Sequence, residues 1–217
     1  MGVEDGGPIL GHGTLLDVGA ELPSHVGFAT RRSGDAAVEL AEVEAALLHP
    51  RAVSERKETF RLGRSAAHAA LAGIGRDEGP ILAGANREPV WPPGVVGSIS
   101  HVRGLAAAMV APAAHCDGIG IDIEVRRRAP ELEDQVPRSE ERQWLDAASP
   151  AQRDDMLLAL FSAKESIFKA FFPRFGSFFG FHAALLEPTS SGFTGSLVED
   201  IDSEYPSTRK FDISCRW

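Results

Sequence analysis

The sequence predicts an α+β fold built from two halves of similar make-up. Two observations point there. Helical periodicity over 36–49 and 53–74 is followed by short β-like stretches, and a second, longer helical run starting at 150 is followed by β-like stretches again. No close internal sequence repeat accompanies this order, so any duplication lies in structure alone.

The elements follow from local chemistry. Over 36–49, Val38, Val43, Leu47 and Leu48 are spaced for one helix face, and Pro50 ends or bends the segment. Over 53–74, Phe60, Ala67, Ala70 and Leu71 face inward while Arg56 and Arg64 reach outward, and Gly73 and Gly75 close the helix. Turn formers then fill 79–97 (Pro80, Pro89, Pro92, Pro93). Strands are expected over 95–101, 105–111 and 118–124, punctuated by Gly104 and Pro112. The charged, proline-bearing stretch 125–140 reads as a loop with one helical turn. Ser149-Pro150-Ala151-Gln152 has a capping serine, a first-turn proline and a capping-box glutamine, which predicts a helix from there to about Phe172, ending before Pro173. Met156, Leu157, Leu160, Phe161, Phe168 and Phe171 would bury its apolar side. Further strands are expected over 181–187, 193–198 and 210–214.

Bulk properties narrow the function. The 217 residues, 43% hydrophobic and 24% charged, suffice for one large domain or two small lobes with a proper core. No apolar run approaches the ~18–20 residues of a membrane span, and the opening residues 1–13 lack the basic and apolar pattern of a secretory signal. They read as a loosely ordered start. Two isolated cysteines, Cys116 and Cys215, argue against a structural zinc site or a disulfide framework and favour a reducing cytoplasm. A net charge of −9 disfavours nucleic acid and anionic membranes as partners. Against that background Arg51, Arg56, Lys57, Arg61 and Arg64 cluster within one short stretch, which suits a small anionic ligand or a solvated helix face.

Three short blocks carry chemistry. In Gly118-Ile119-Gly120-Ile121-Asp122-Ile123-Glu124, strand alternation puts both carboxylates on one face. At about 6–7 Å they repel by roughly 2–3 kcal/mol at an effective dielectric near 20, a sign that a bound cation reverses. Carboxylates without a neighbouring His or Cys suit a hard ion such as Mg²⁺. An amphipathic strand's solvent face explains the same pattern. In Phe161-Ser162-Ala163-Lys164-Glu165-Ser166-Ile167-Phe168-Lys169, Glu165 and Lys169 share a helix face, as a third metal ligand with a phosphate contact or as a plain surface ion pair. In Gly97-Ser98-Ile99-Ser100-His101, a strand-end histidine beside small residues is a phosphate donor or a structural imidazole.

Taken in order, G-S-I-S-H, G-I-G-I-D-I-E and F-S-A-K-E-S-I-F-K-A resemble the signature blocks of the 4'-phosphopantetheinyl transferase superfamily. The stretch Arg87-Glu88-Pro89-Val90-Trp91-Pro92, and Arg56, Phe60, Gly63, Arg64, Ala67 and Leu71, resemble its enterobactin-synthase-type, component D-like branch. The resemblance runs from about Val53 to Phe181.

The resemblance implies a pseudo-twofold pair of α+β halves, 1–112 and 113–217, with the active site in the cleft between them. It implies transfer of the 4'-phosphopantetheine group from coenzyme A to a serine of an apo acyl or peptidyl carrier protein, with release of 3',5'-ADP, in siderophore, peptide or polyketide synthesis. It implies that Asp122, Glu124 and Glu165 hold Mg²⁺, that Glu165 as base and Lys169 as phosphate contact serve catalysis, and that Lys164 assists. Arg56, Arg64, His101 and Arg87 are the implied coenzyme A contacts, the first two at its 3'-phosphate and Arg87 on its adenine side. A cytoplasmic monomer is expected. Arg126, Arg127 and Arg128 are candidates for carrier docking. The weighed alternatives are a Mg²⁺-dependent phosphodiesterase or nuclease and a non-catalytic coenzyme A-binding module. Phe161 stands where tryptophan is common, and a last hairpin strand is expected to be missing after Trp217.

Overall fold

The computed structural model describes residues 22–36, 39–76, 79–176, 179–198 and 210–215. In chain order these form β1 (Gly27–Arg32), α1 (Glu42–Ala45), α2 (Ser54–Gly73), a hairpin of β2 (Leu82–Ala83) and β3 (Pro89–Val90), β4 (Val95–Val102), β5 (Leu105–Pro112), α3 (Ser139–Ala147), α4 (Pro150–Phe175), β6 (Ala184–Thr189), β7 (Gly192–Leu197) and β8 (Lys210–Ser214). No described helix is long and apolar enough to cross a membrane.

Small residues set the first layer. Ala66, Ala67, Ala70 and Leu71 line one side of α2 and are fully buried, so the helix lies close on a sheet ordered β1-β5-β4. At Gly27 the strand meets the helix backbone, where a Cβ would stand 2.1 Å from the Ala70 carbonyl oxygen. Both strand pairings are antiparallel, with Gly27 opposite Val110 and Ser98 opposite Met109. The second layer pairs α3 and α4 with the antiparallel sheet β6-β7-β8, around Leu145, Leu157, Leu158, Leu160 and Leu186. The two apolar cores share no residue.

One device appears in each core. Glu44, the third residue of α1, is buried. It accepts the Ala41 N–H at 3.2 Å and the Ile81 N–H at 2.9 Å, and meets His68 Nε2 of α2 at 2.9 Å. Glu141, the third residue of α3, is buried likewise. It accepts the Arg138 N–H at 2.7 Å and the Leu186 N–H at 2.9 Å, and pairs with Lys164 Nζ of α4 at 2.6 Å. Each carboxylate thereby caps a short helix, anchors a long one and fixes the chain that follows it.

Several sequence expectations are corrected. The helix expected over 36–49 shortens to Glu42–Ala45, and Val38 lies outside the described residues, as does the segment 1–13. β1 and α3 form where neither was expected. The α4 helix starts after Ser149 as expected, although the Ser149 hydroxyl caps no amide and donates to Gln152 Oε1 at 2.7 Å instead, and it continues through Pro173 to Phe175, closing on Gly176 in the left-handed region at φ 62°. Proline removes only one amide donor there, and the N–H of Gly176 still reaches the Phe172 carbonyl at 2.9 Å. The strand expected at 181 begins with a 3₁₀ turn, Phe181–Ala183, ahead of β6. The stretch 118–124 is extended but joins no sheet, for reasons that belong to the site.

Candidate active site

The extended stretch 118–124 runs between the two layers. On its first side, serine hydroxyls of β4 replace the missing strand partner. Ser98 Oγ accepts the Ile121 N–H and Ser100 Oγ accepts the Ile123 N–H, both at 3.1 Å. The period of two matches on both chains, serine to serine and isoleucine to isoleucine.

Its second side lies on the backbone of α4. A Cβ on Gly118 would meet the Ala170 carbonyl oxygen at 2.3 Å, and one on Gly120 the Ser166 oxygen at 1.7 Å, so neither position admits a side chain. By alternation Gly118, Gly120, Asp122 and Glu124 share that face. The two glycines bring the backbones together, and the two acids that follow are carried to the helix face bearing Glu165 and Lys169.

There Lys169 Nζ contacts Asp122 Oδ1 at 2.6 Å, the Ile121 carbonyl at 3.2 Å and Ser100 Oγ at 3.2 Å. Asp122 Oδ2 is buried without a partner. Burial raises the Glu165 carboxyl above the usual carboxylate range, with Asp122 adding to the rise and Lys169 opposing it. Glu124 is raised by burial and by the fields of Asp122 and Glu165, with Arg127 and Lys169 opposing. The three acids therefore sense one another around a single ammonium. Among the described residues no three of them close on one point as a ready-made metal cage.

The remaining candidates fall into two groups. His101, next to last in β4, lies in the field of Lys169 and Asp122. Partial burial lowers its pKa, and Arg56 and Lys169 lower it further. Arg64, expected to reach outward, is instead buried, with Nη2 donating to the Leu82 carbonyl at 3.3 Å, its guanidinium 4.9 Å from the Phe60 ring centroid, and its Nε unpartnered. Burial lowers its pKa while Glu44 opposes the shift. Arg87 sits exposed at the β2–β3 turn with φ 68°. Lys164 does not join the cluster: its side chain is 1% exposed and its ammonium is held in the core by Glu141 and the Val136 carbonyl. The arginines expected at a docking surface have partners within the chain: Arg126 with Asp155, Arg127 with Glu131 and Arg128 with Asp154.

Sequence reasoning missed Ser98 and Ser100 as organising groups, and the two glycines of G-I-G as the reason the acids reach α4. The signal was the matching two-residue spacing of S-x-S and I-x-I.

The order of these blocks along the chain agrees with two family models. The 4'-phosphopantetheinyl transferase N-terminal domain matches 43–111, and the 4'-phosphopantetheinyl transferase superfamily matches 118–211. A 4'-phosphopantetheinyl transferase of Mycobacterium tuberculosis, PptT, is 36% identical over 171 residues, covering 73% of this chain and 70% of the relative. The chain belongs to the 4'-phosphopantetheinyl transferase superfamily. A second member, Svp of Streptomyces mobaraensis, is 41% identical over 153 residues, 68% of this chain and 62% of that relative. Enterobactin synthase component D of Salmonella typhi is 40% identical over 123 residues, 55% of this chain and 50% of that relative. The match thus spans less than two thirds of Svp and half of the component D protein. The boundary between the two family models, 112–117, falls just ahead of the stretch that carries Asp122.

Proposed function

We propose that this protein transfers the 4'-phosphopantetheine group of coenzyme A to a serine hydroxyl of an apo acyl or peptidyl carrier protein, with Mg²⁺, releasing 3',5'-ADP. The observation that carries the reading is the contact of Asp122 with Lys169, drawn from a stretch and a helix far apart in sequence, with Glu124 and Glu165 in the electrostatic field of that pair.

The donor set fits a hard divalent cation. All three candidate ligands are carboxylates, and Asp122 keeps a buried oxygen that no protein group satisfies. Asp122, Glu124 and Glu165 would hold the ion, which when bound supplies charge neutralisation at the pyrophosphate and at the departing phosphate. Lys169 offsets phosphate charge from the same side. Glu165, with a carboxyl already raised by burial, is suited to take the proton of the acceptor serine, whose hydroxyl is otherwise a weak nucleophile. Arg56 and His101 are neighbours beside the cluster and would bind coenzyme A phosphate, as would the spare Nε–H of Arg64. Arg87 is assigned to the adenine side. Lys164 leaves the ligand-binding set, because Glu141 already holds its charge.

The reading includes two similar halves, 1–112 and 113–217. Its support is the matched wiring of Glu44 and Glu141, each capping a short helix, meeting a basic group on the long helix and fixing a later amide. One chain contains both, so a single copy would form a complete site.

Mass spectrometry of an apo carrier protein incubated with the protein, Mg²⁺ and coenzyme A tests the function. A gain of one phosphopantetheine is the expected result. Coenzyme A binding without transfer would replace the reading with an inert binding module. Cleavage of DNA or RNA instead would make the protein a nuclease.

A further inference from the structure

We infer that Ser100 is a positioning residue, which sets the Asp122 carboxylate for its cation and holds Lys169 beside it. The inference rests on the proposed cation-dependent transfer and adds a residue to that site.

The hydroxyl of Ser100 has one proton to give and two lone pairs to share. All three capacities are used. It donates to Asp122 Oδ1 at 2.9 Å, accepts the Ile123 N–H at 3.1 Å and accepts from Lys169 Nζ at 3.2 Å. Ser100 is 4% exposed, so water does not compete for these bonds. Its donor turns one Asp122 oxygen toward β4 and Lys169, which leaves Oδ2 as the oxygen without a protein partner. Groups that orient metal-binding carboxylates in this way typically govern affinity by ~10–100-fold.

Ser98 supplies an internal control. It lies two residues earlier on the same strand, is 3% exposed, and accepts one isoleucine N–H at the same 3.1 Å distance. It differs in having no bond to Asp122 or Lys169. Loss of either hydroxyl removes one amide bond from the 118–124 stretch, whereas only loss of Ser100 frees the carboxylate and the ammonium.

The test is Mn²⁺ binding by electron paramagnetic resonance, on the full chain with coenzyme A present and no carrier, so that no turnover occurs. Ser100→Ala is expected to weaken Mn²⁺ binding about 10–100-fold. Ser98→Ala, which loses one amide bond to the same stretch but no bond to Asp122 or Lys169, is expected to lose far less affinity than Ser100→Ala. Ser100→Thr keeps the hydroxyl on a strand that tolerates β-branching, and should restore affinity. Should Ser100→Ala fail to fold, Ser100→Cys, which keeps the volume with a much weaker hydrogen-bonding group, takes its place. Wild-type affinity in Ser100→Ala or Ser100→Cys, or an equal loss in Ser98→Ala, overturns the inference while leaving the transferase reading intact. A wild-type protein that neither binds Mn²⁺ with coenzyme A nor loads a carrier removes both.

Discussion

Substituting Lys164 by methionine separates a structural from a ligand-binding lysine. In the structure the Lys164 side chain is 1% exposed and its partner Glu141 is 0% exposed, 2.6 Å apart. Burial lowers the lysine's pKa, and Glu141 opposes that shift. Methionine fills the volume but leaves the Glu141 carboxylate in the core without its counter-charge. Breaking a buried pair this way costs ~3–5 kcal/mol. Two charge-assisted amide bonds, from Arg138 and Leu186, still hold the carboxylate, so the lower end, about 3 kcal/mol, is expected. With a urea dependence of ~2 kcal/mol per M, the unfolding midpoint falls by about 1.5 M. Adding Glu141→Gln removes the stranded charge, so the double variant should be more stable than the single changes summed. Coenzyme A affinity, read by calorimetry in native buffer, should stay at the wild-type value. An unchanged urea midpoint together with tenfold weaker coenzyme A binding would refute this reasoning, since it would mean the ammonium serves the nucleotide.

Four other outcomes follow from the same geometry. Asp122→Asn and Glu165→Gln should each lower carrier loading by about 10²–10³-fold or more with the thermal transition retained, and full activity in either would remove that residue from the site. Gly120→Ala forces a Cβ to 1.7 Å from the Ser166 oxygen, so the stretch must lift from α4, at ~1–3 kcal/mol or more in chemical denaturation; a neutral result would contradict the close approach. His101 has a lowered pKa, so its imidazolium forms only as pH drops below the ordinary value of about 6.5, and acid then works against the fold at this position; coenzyme A phosphate should raise the midpoint of its NMR titration, and a midpoint unmoved at saturation would take His101 out of the phosphate site. Charge reversal at Arg126 and Arg128, without Arg127 because that residue also acts on Glu124, should raise the carrier KM and leave the coenzyme A KM unchanged, and no change in either would exclude that surface from docking.

What the sequence revealed, and what it hid, divides by the range of the interaction. The long helices were legible because their signals are local: the Ser149-Pro150 start of α4 and the alanine stripe of α2 both stand in the chain. Alternation predicted Asp122 and Glu124 on one face, and the field of Asp122 on Glu124 agrees with that. Alternation could not show that this face is packed rather than solvated, because the partner is a helix more than 40 residues away. Lys164 misled for the same reason. It lies one residue from Glu165, but neighbours on a helix point about 100° apart, and one faces the core while the other faces the cluster. α3 went unseen because Glu141, the residue that fixes it, looks in sequence like one more surface acid and is instead fully buried.

The stretch 118–124 explains why the site needs both layers. It belongs to neither sheet, so its position is the sum of two attachments: serine hydroxyls of β4 on one side and glycine contacts with α4 on the other. A strand paired by backbone bonds would resist a shift along its whole length. Here two side-chain oxygens carry the pairing, and one of them, on Ser100, also sets Asp122. Displacement of β4 relative to α4 would therefore move the carboxylate away from Lys169 and Glu165 even with both cores intact. The site's acids are held by the junction between the layers, and a substitution that loosens the junction should lower activity before it lowers stability.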